Sequence, residues 1–188
     1  KTQATIWTAG AWTKGIPDIS KGAILNDTYD TAIHGSISCC SLEVRNTRML
    51  TIAPNTYVEI QNRLYNLGTV LIQNDGQLVQ INESDNNSGT YTGTRFQVER
   101  TAKNIQKLDY VYWSSPVEGF NLSGINGTHK YYWDTTAANI NGSQGNWLPA
   151  SGVMNKGQGY IVRGPAANVS PADVPVSFRG KPHNGQFI

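Results

Sequence analysis

The residues best suited to molecular recognition are aromatic, and they crowd into the second half of the chain. They are Trp113, Trp133 and Trp147, with Tyr110, Tyr112, Tyr131, Tyr132 and Tyr160. Exposed indole and phenol rings can stack on the apolar faces of sugars, whereas buried rings fill the core of a small β module or its contact with another module. Both interpretations remain open, so Trp113, Trp133 and Trp147 are candidate glycan-stacking residues.

Residues for catalysis are present, but none has a diagnostic setting. Asp109, Glu118 and Asp134 are the carboxylates of the aromatic half, and a glycosidase needs two such groups that face each other across a sugar. Ser114-Ser115 lacks the Gly-x-Ser-x-Gly pattern of a nucleophile elbow, and Gly157–Gly159 lacks the lysine of a phosphate-binding loop. The sequence therefore predicts a non-enzymatic protein with no catalytic residue and no cofactor.

Cysteine chemistry is limited to the neighbouring pair Cys39 and Cys40. Adjacent cysteines rarely bond to each other, because the ring that they would close is strained. We expect one buried thiol and one nearer the surface. The three histidines show no ligand spacing relative to this pair, so no metal site is predicted.

Composition narrows the class of protein. The 188 residues include 15 basic and 13 acidic ones, a net charge of +2, which disfavours a nucleic-acid partner. No apolar run approaches the ~20 residues of a membrane span, so no membrane insertion is expected. Abundant Thr, Tyr, Val, Ile and Trp favour strands, and Asn and Gly favour turns. This balance is typical of extracellular β proteins.

A repeat of 20 residues lies in the first half. Segments beginning at Val44 and Leu64 match at offset 20, and the pairs are Val44/Leu64, Asn46/Asn66, Leu50/Val70, Ile52/Ile72, Asn55/Asp75 and Val58/Leu78. Short alternating apolar triplets at this period predict a parallel β-solenoid in which Ile52 and Ile72 stack and are buried. Asn26, Asn46 and Asn66 then form either an internal asparagine ladder or a set of ordinary turn residues.

After residue 105 the pattern changes to short strands separated by glycine-rich turns. Five are expected, around 109–117, 130–134, 146–147, 159–163 and 174–178. Alternation places Tyr110 and Tyr112 on one face of the first of these strands, and Val111 and Trp113 on the other. The predicted fold class is all-β: a cap strand and short parallel β-solenoid over 1–104, followed by an antiparallel β-sandwich-like module over 105–188, packed on its end. Both chain ends look like cuts from a longer protein.

Several motifs resemble a region of large secreted proteins of Flavobacteria and other Bacteroidota. These are WTKGIP at Trp12–Pro17, CSLEV at Cys40–Val44, DYVYWSSPV at Asp109–Val117, KGQGYIVRGP at Lys156–Pro165 and FRGKPHNG at Phe178–Gly185. Such proteins resemble cargo of the type IX secretion system, with a C-terminal sorting domain. The resemblance implies an adhesin-like scaffold on the outer cell surface, exported by that machinery through regions outside this chain. Its expected partners are surface glycans or other surface proteins, and the alternative is a glycan-binding module of a polysaccharide-processing protein.

The same resemblance implies a modification. Bacteroidota attach O-glycans to exported proteins at Asp, then Ser or Thr, then a small or apolar residue. Asp30-Thr31-Ala32 and Asp134-Thr135-Thr136 fit this signal. Both are expected in exposed loops, so Thr31 and Thr135 are candidate O-glycosylation sites.

Overall fold

The computed structural model describes residues 4–82 and 87–184. It divides into two compact units, of which the first comprises residues 1–100 with 179–188 and the second residues 101–178. Residues 179–188 thus group with the first unit, whereas the sequence analysis assigns them to the aromatic half. No helix in the described ranges is long and apolar enough to span a membrane.

The first unit is a parallel β-solenoid of about 4 turns, which confirms the predicted fold class. Three short strands make each full coil, and one helical turn, α1 (Thr31–His34), interrupts an early one. The strands are β1 (Thr5–Thr8), β2 (Ala11–Trp12), β3 (Ala23–Leu25), β4 (Tyr29–Asp30), β5 (Ile37–Cys39), β6 (Leu42–Val44), β7 (Met49–Ile52), β8 (Tyr57–Ile60), β9 (Leu64–Asn66), β10 (Thr69–Ile72), β11 (Gln77–Gln80), β12 (Ser88–Gly89) and β13 (Phe96–Ile105). They stack as the sheets β12-β9-β6-β3-β1-β2, β13-β10-β7-β4 and β11-β8-β5.

The solenoid core consists of alternate residues that point inward and lie above one another. Ile72 pairs with Ile52 and Val70 with Leu50 in the parallel register of β10 and β7. Ile52 is 0% exposed and Ile72 is 4% exposed, so the predicted stack is confirmed. A strand of three or four residues cannot bury its apolar face alone, and each coil therefore depends on its neighbours.

The repeat is 20 residues in two sheets but not in the third. In the first sheet Leu42 pairs with Leu64 and Val44 with Asn66, because the corner between β6 and β7 is two residues longer than the corner between β9 and β10. Gly68 occupies the shorter corner, where a Cβ atom would lie 2.3 Å from the Arg48 carbonyl oxygen. Only glycine permits this close approach.

The asparagine ladder is therefore wrong, because the register separates its members. Asn46 is exposed on the longer corner. Asn66 is fully buried, and its amide donates to the carbonyl oxygens of Thr90 at 2.9 Å and Arg95 at 3.0 Å. Asn26 donates instead to the Thr8 hydroxyl. A buried asparagine thus ties one corner to the next.

The match of Asn55 with Asp75 has a backbone cause. Both residues adopt left-handed conformations, with φ of 60° and 64°. The Asn55 amide donates to the Asp75 carbonyl oxygen at 3.1 Å, so these two turns are stacked. Asn and Asp tolerate positive φ better than other side chains, which explains their recurrence at this corner.

The two free cysteines differ in environment, as expected. Cys39 points into the solenoid core and is 0% exposed, and burial raises the pKa of its thiol to about 12. Cys40 is half-buried, and its sulfur accepts a hydrogen bond from the Asn62 amide at 3.2 Å. Because the thiolate is the reactive form, Cys39 is inert near neutral pH.

The second unit contains one four-stranded antiparallel sheet in the order β14-β17-β15-β16. Its strands are β14 (Tyr110–Trp113), β15 (Lys130–Ala138), β16 (Gln144–Pro149) and β17 (Tyr160–Arg163). The fifth predicted strand is β18 (Ala172–Arg179), which pairs with β13, and Lys103 and Asp173 form an ion pair of 2.7 Å between these strands. The buried side chains of this unit are Trp113, Val117, Leu122, Ile125, Met154, Tyr160, Val162, Val174, Val176 and Phe178.

Replacing Asn66 tests whether its amide stabilises the solenoid. Asn66→Ala should lower the free energy of unfolding by about 1–3 kcal/mol, because two hydrogen bonds in a buried corner are lost. Asn46→Ala is the matched control and should change it by no more than about 0.5 kcal/mol, since Asn46 is exposed. Urea unfolding followed by circular dichroism measures both, and equal midpoints for Asn66→Ala and the parent would contradict the assignment.

Thiol labelling tests the contrast between the cysteines. In the folded protein a disulfide reagent should modify Cys40 first, because Cys39 is buried with a raised pKa. Both thiols should react after denaturation. Cys40→Ser is expected to remove the fast phase, and rapid labelling of Cys39 in that variant would show that β5 is packed differently.

Candidate functional site

The antiparallel sheet of the second unit has two faces of opposite character. Trp113 pairs with Tyr160 on the buried face, while the next register position pairs Tyr112 with Ile161 on the other. We call this second face the aromatic face. Strand alternation and register give its members as Tyr110, Tyr112, His129, Tyr131, Trp133, Trp147, Pro149, Ile161 and Arg163.

Three rings form a continuous cluster on the aromatic face. Trp133 and Trp147 are cross-strand partners with ring centroids 5.2 Å apart and planes inclined by 69°. Trp147 also contacts Tyr112, at 6.4 Å and 54°. Tyr112 is 74% exposed and Trp133 is 44% exposed. Because the rings are tilted, each one offers a separate surface to a ligand.

Glycine makes room for one of these rings. A Cβ atom on Gly145, in the strand next to Trp133, would lie 2.4 Å from the indole ring. The φ of Gly145 is 97°, which side chains rarely adopt. The indole of Trp133 can therefore lie directly over the backbone of β16.

A β-bulge ends the regular pairing beyond Trp133. The register of β15 and β16 shifts between Asp134 and Ala138. One Asp134 oxygen accepts hydrogen bonds from the Thr136 hydroxyl and backbone amide, both at 2.8 Å. These bonds lower the pKa of the Asp134 carboxyl below its ordinary value. This carboxylate thus stabilises the bulge.

The opposite end of the aromatic face is polar. Arg163 lies in β17 between Tyr110 on β14 and His129, whose carbonyl oxygen accepts the Arg163 backbone amide at 2.8 Å. The rings of His129 and Tyr131 are stacked, with centroids 6.4 Å apart and planes inclined by 15°. The face therefore combines stacking surfaces with a cation and several hydrogen-bonding groups.

The structure brings together two of the three tryptophans proposed for glycan stacking. Trp133 and Trp147 lie side by side, but Trp113 belongs to the buried face, 9% exposed and 6.1 Å from the Phe178 ring. Trp113 is therefore wrong as a stacking residue, because alternation points it inward. The sequence analysis missed Tyr112 as its replacement, although the alternation of Tyr110 and Tyr112 against Trp113 signalled it.

The two proposed glycosylation sites have different settings. Thr31 is 2% exposed, and its hydroxyl bonds to the Ala53 amide and the Thr56 hydroxyl. The expected exposed loop is wrong there, because Asp30 caps α1 and draws Thr31 into the core. Thr135 is exposed, but it lies on β15 beside the bulge rather than in a loop. Thr135 stays a candidate.

Other polar groups considered for chemistry have structural partners. The buried Ser115 hydroxyl donates to the Val117 carbonyl oxygen and accepts from its amide. Asp109 accepts from the Gln106 amide at 2.7 Å. Within residues 4–82 and 87–184, no cluster of three or more His, Cys, Asp or Glu side chains could hold a metal ion.

A second aromatic cluster lies in the solenoid but is largely internal. Trp7 and Tyr29 are buried against Trp12 and His34, with centroids 4.6–5.7 Å apart in four of the contacts. The Trp7 indole donates to the Thr28 carbonyl oxygen, and the Tyr29 hydroxyl lies 3.1 Å from the His34 carbonyl oxygen. Satisfied polar tips and buried rings indicate a structural cap, although a cavity of ≈ 340 Å³ adjoins it.

Comparison with known proteins gives a family and no named relative. No curated protein and no solved structure matches the chain. One family model covers residues 2–188, nearly the whole chain. The protein accordingly belongs to the family described as Domain of unknown function (DUF8693).

Proposed function

We propose that this chain is a non-enzymatic extracellular adhesion module that binds glycans on the aromatic face of its antiparallel sheet. The observation that carries the proposal is the exposed cluster of Tyr112, Trp147 and Trp133. Sugar rings present apolar C–H faces that pack on aromatic rings, and their hydroxyls bond with groups at the rim. Both kinds of contact are available on this face.

Exposed rings of this size favour a binding role over a purely structural one. Large apolar groups that cluster on a surface mark interaction sites, whereas scattered ones do not. Tyr and Trp lose little conformational entropy on binding, because each has two side-chain torsions. The tilts of 54° and 69° suit a ligand whose successive rings face different directions, as in a polysaccharide chain.

The solenoid supplies the scaffold of the proposed adhesion module. Its coils are tied by parallel backbone ladders and a buried apolar column, which make a stiff element. The low charge content and the motifs shared with Bacteroidota cargo support an outer-surface location and export by the type IX machinery. Surface glycans are the proposed partners, and a surface protein is the alternative partner.

Binding measurements on variants of the exposed rings test the proposal. Tyr112→Ala and Trp133→Ala should each weaken glycan binding roughly tenfold, the equivalent of about 1.4 kcal/mol for a lost stacking contact. Tyr57→Ala is the matched control, because Tyr57 is 47% exposed but lies on the solenoid. A glycan array identifies the ligand, and affinity electrophoresis in the hits compares the variants.

Two results would contradict glycan binding at this face. One is an array with no bound glycan, and the other is binding that Tyr112→Ala and Trp133→Ala leave unchanged. Retention of a surface protein through the same two residues would support the alternative partner instead.

The modification proposed for Thr135 is tested by mass spectrometry. Protein purified from its source organism should carry extra mass on peptides with Thr135, because this residue is exposed and follows Asp134. Peptides with Thr31 should carry none, since Thr31 is buried. Recombinant protein from a heterologous host supplies the unmodified reference. An intact mass equal to that of the bare sequence would refute the modification.

A further inference from the structure

One cation stands in the interior of the aromatic face. Arg163 belongs to β17, which has β14 on one side and β15 on the other. Its register partner on β14 is Tyr110, and its backbone amide bonds to His129 at the start of β15. A half-buried guanidinium is thus flanked by aromatic side chains rather than surrounded by water on all sides.

This guanidinium has no hydrogen bond or ion pair within the described parts of the chain, and nearby carboxylates are engaged elsewhere. Asp134 belongs to the opposite face, where it stabilises the bulge. Asp173 pairs with Lys103 at 2.7 Å. The other cation of the sheet, Lys130, points to the buried face and donates to the carbonyl oxygens of Leu122 and Ile125.

The aromatic face as defined contains no carboxylate, so its only fixed charge is positive. A partly desolvated guanidinium attracts an anion more strongly than an exposed one, because water screens the interaction less. Its planar fork matches the two oxygens of a carboxylate in a bidentate contact. A neutral ligand would leave this group unmatched.

From this charge pattern we propose that the ligand is an acidic polysaccharide, with Arg163 bound to the carboxylate of a uronic acid residue. The inference rests on the proposed glycan-binding function. Its geometry requires an oligosaccharide, because His129 beside Arg163 and Trp133 in the ring cluster are four residues apart on β15, about 13 Å in an extended strand. Arg163 reads the charge, while Tyr112, Trp133 and Trp147 stack on further sugar rings.

Ligands with the same backbone and different charge separate these roles. We would measure binding to polygalacturonate, to its fully methyl-esterified form, to alginate and to dextran sulfate by affinity electrophoresis at low and high salt. The full-length chain should bind at least one uronate polymer roughly tenfold more tightly than the neutral ester, as expected for one charge-assisted bidentate contact. Added salt should reduce this preference.

Variants of Arg163 give the sharpest test. Arg163→Gln should abolish the preference for the acid form while retaining binding to the neutral ester. Arg163→Lys should keep part of it, because the charge remains and the fork is lost. Arg48→Gln is the matched control, since Arg48 is half-buried on the solenoid and the charge change is the same. Unchanged melting temperatures would show that each variant is folded.

The outcomes distinguish this inference from the function on which it rests. Equal binding of acid and ester, an unaffected preference in Arg163→Gln, or binding to dextran sulfate alone would overturn the uronate assignment but leave glycan binding intact. Loss of binding to every glycan, neutral ones included, in Tyr112→Ala would support the aromatic face independently of Arg163. Failure of the parent to bind any glycan would overturn both proposals.

Discussion

The solenoid depends on a single constraint: every coil must be matched in register by the coil beside it. Its strands are three or four residues long, too short to satisfy their backbone groups or bury their side chains alone. Parallel pairing supplies both needs at once, because hydrogen bonds and apolar columns such as Leu50/Val70 and Ile52/Ile72 follow the same direction. Corner residues are selected to maintain this match, and Asn66 and Gly68 show two ways of doing so.

In the second unit the decisive constraint is the alternation of side chains across one sheet. A shift of one residue separates Trp113, which packs in the core, from Tyr112, which is mostly exposed. The antiparallel register then gathers aromatic residues from three strands on one face. Packing on the buried face thus fixes what the other face presents to solvent.

Much of this fold could be predicted because it follows from periodic patterns. The offset of 20 residues identified the solenoid and the stacked isoleucines. It could not identify the asparagine positions, because a corner two residues longer shifts the register of one sheet without disturbing the apolar match in the others. The five strands of the aromatic half were also predicted, but a strand pattern alone does not show which face is buried. Trp113 was misassigned for that reason, and Arg163 was overlooked because its isolation depends on where distant carboxylates lie. The motifs behind the family resemblance mostly stabilise the fold: Ser115 closes a turn, and the Tyr160 hydroxyl accepts the Asn155 amide.

The unequal corners at Arg45–Arg48 and Leu67–Gly68 also bear on how such a protein can evolve. Two additional residues are accommodated there with no break in the β7–β10 ladder, since Leu50 and Val70 remain paired. Insertions and deletions at this corner change the outline of the coil but leave its interior intact. The corner is therefore a permissive position, where lineages can diversify the outer surface and where a foreign epitope can be grafted into the chain.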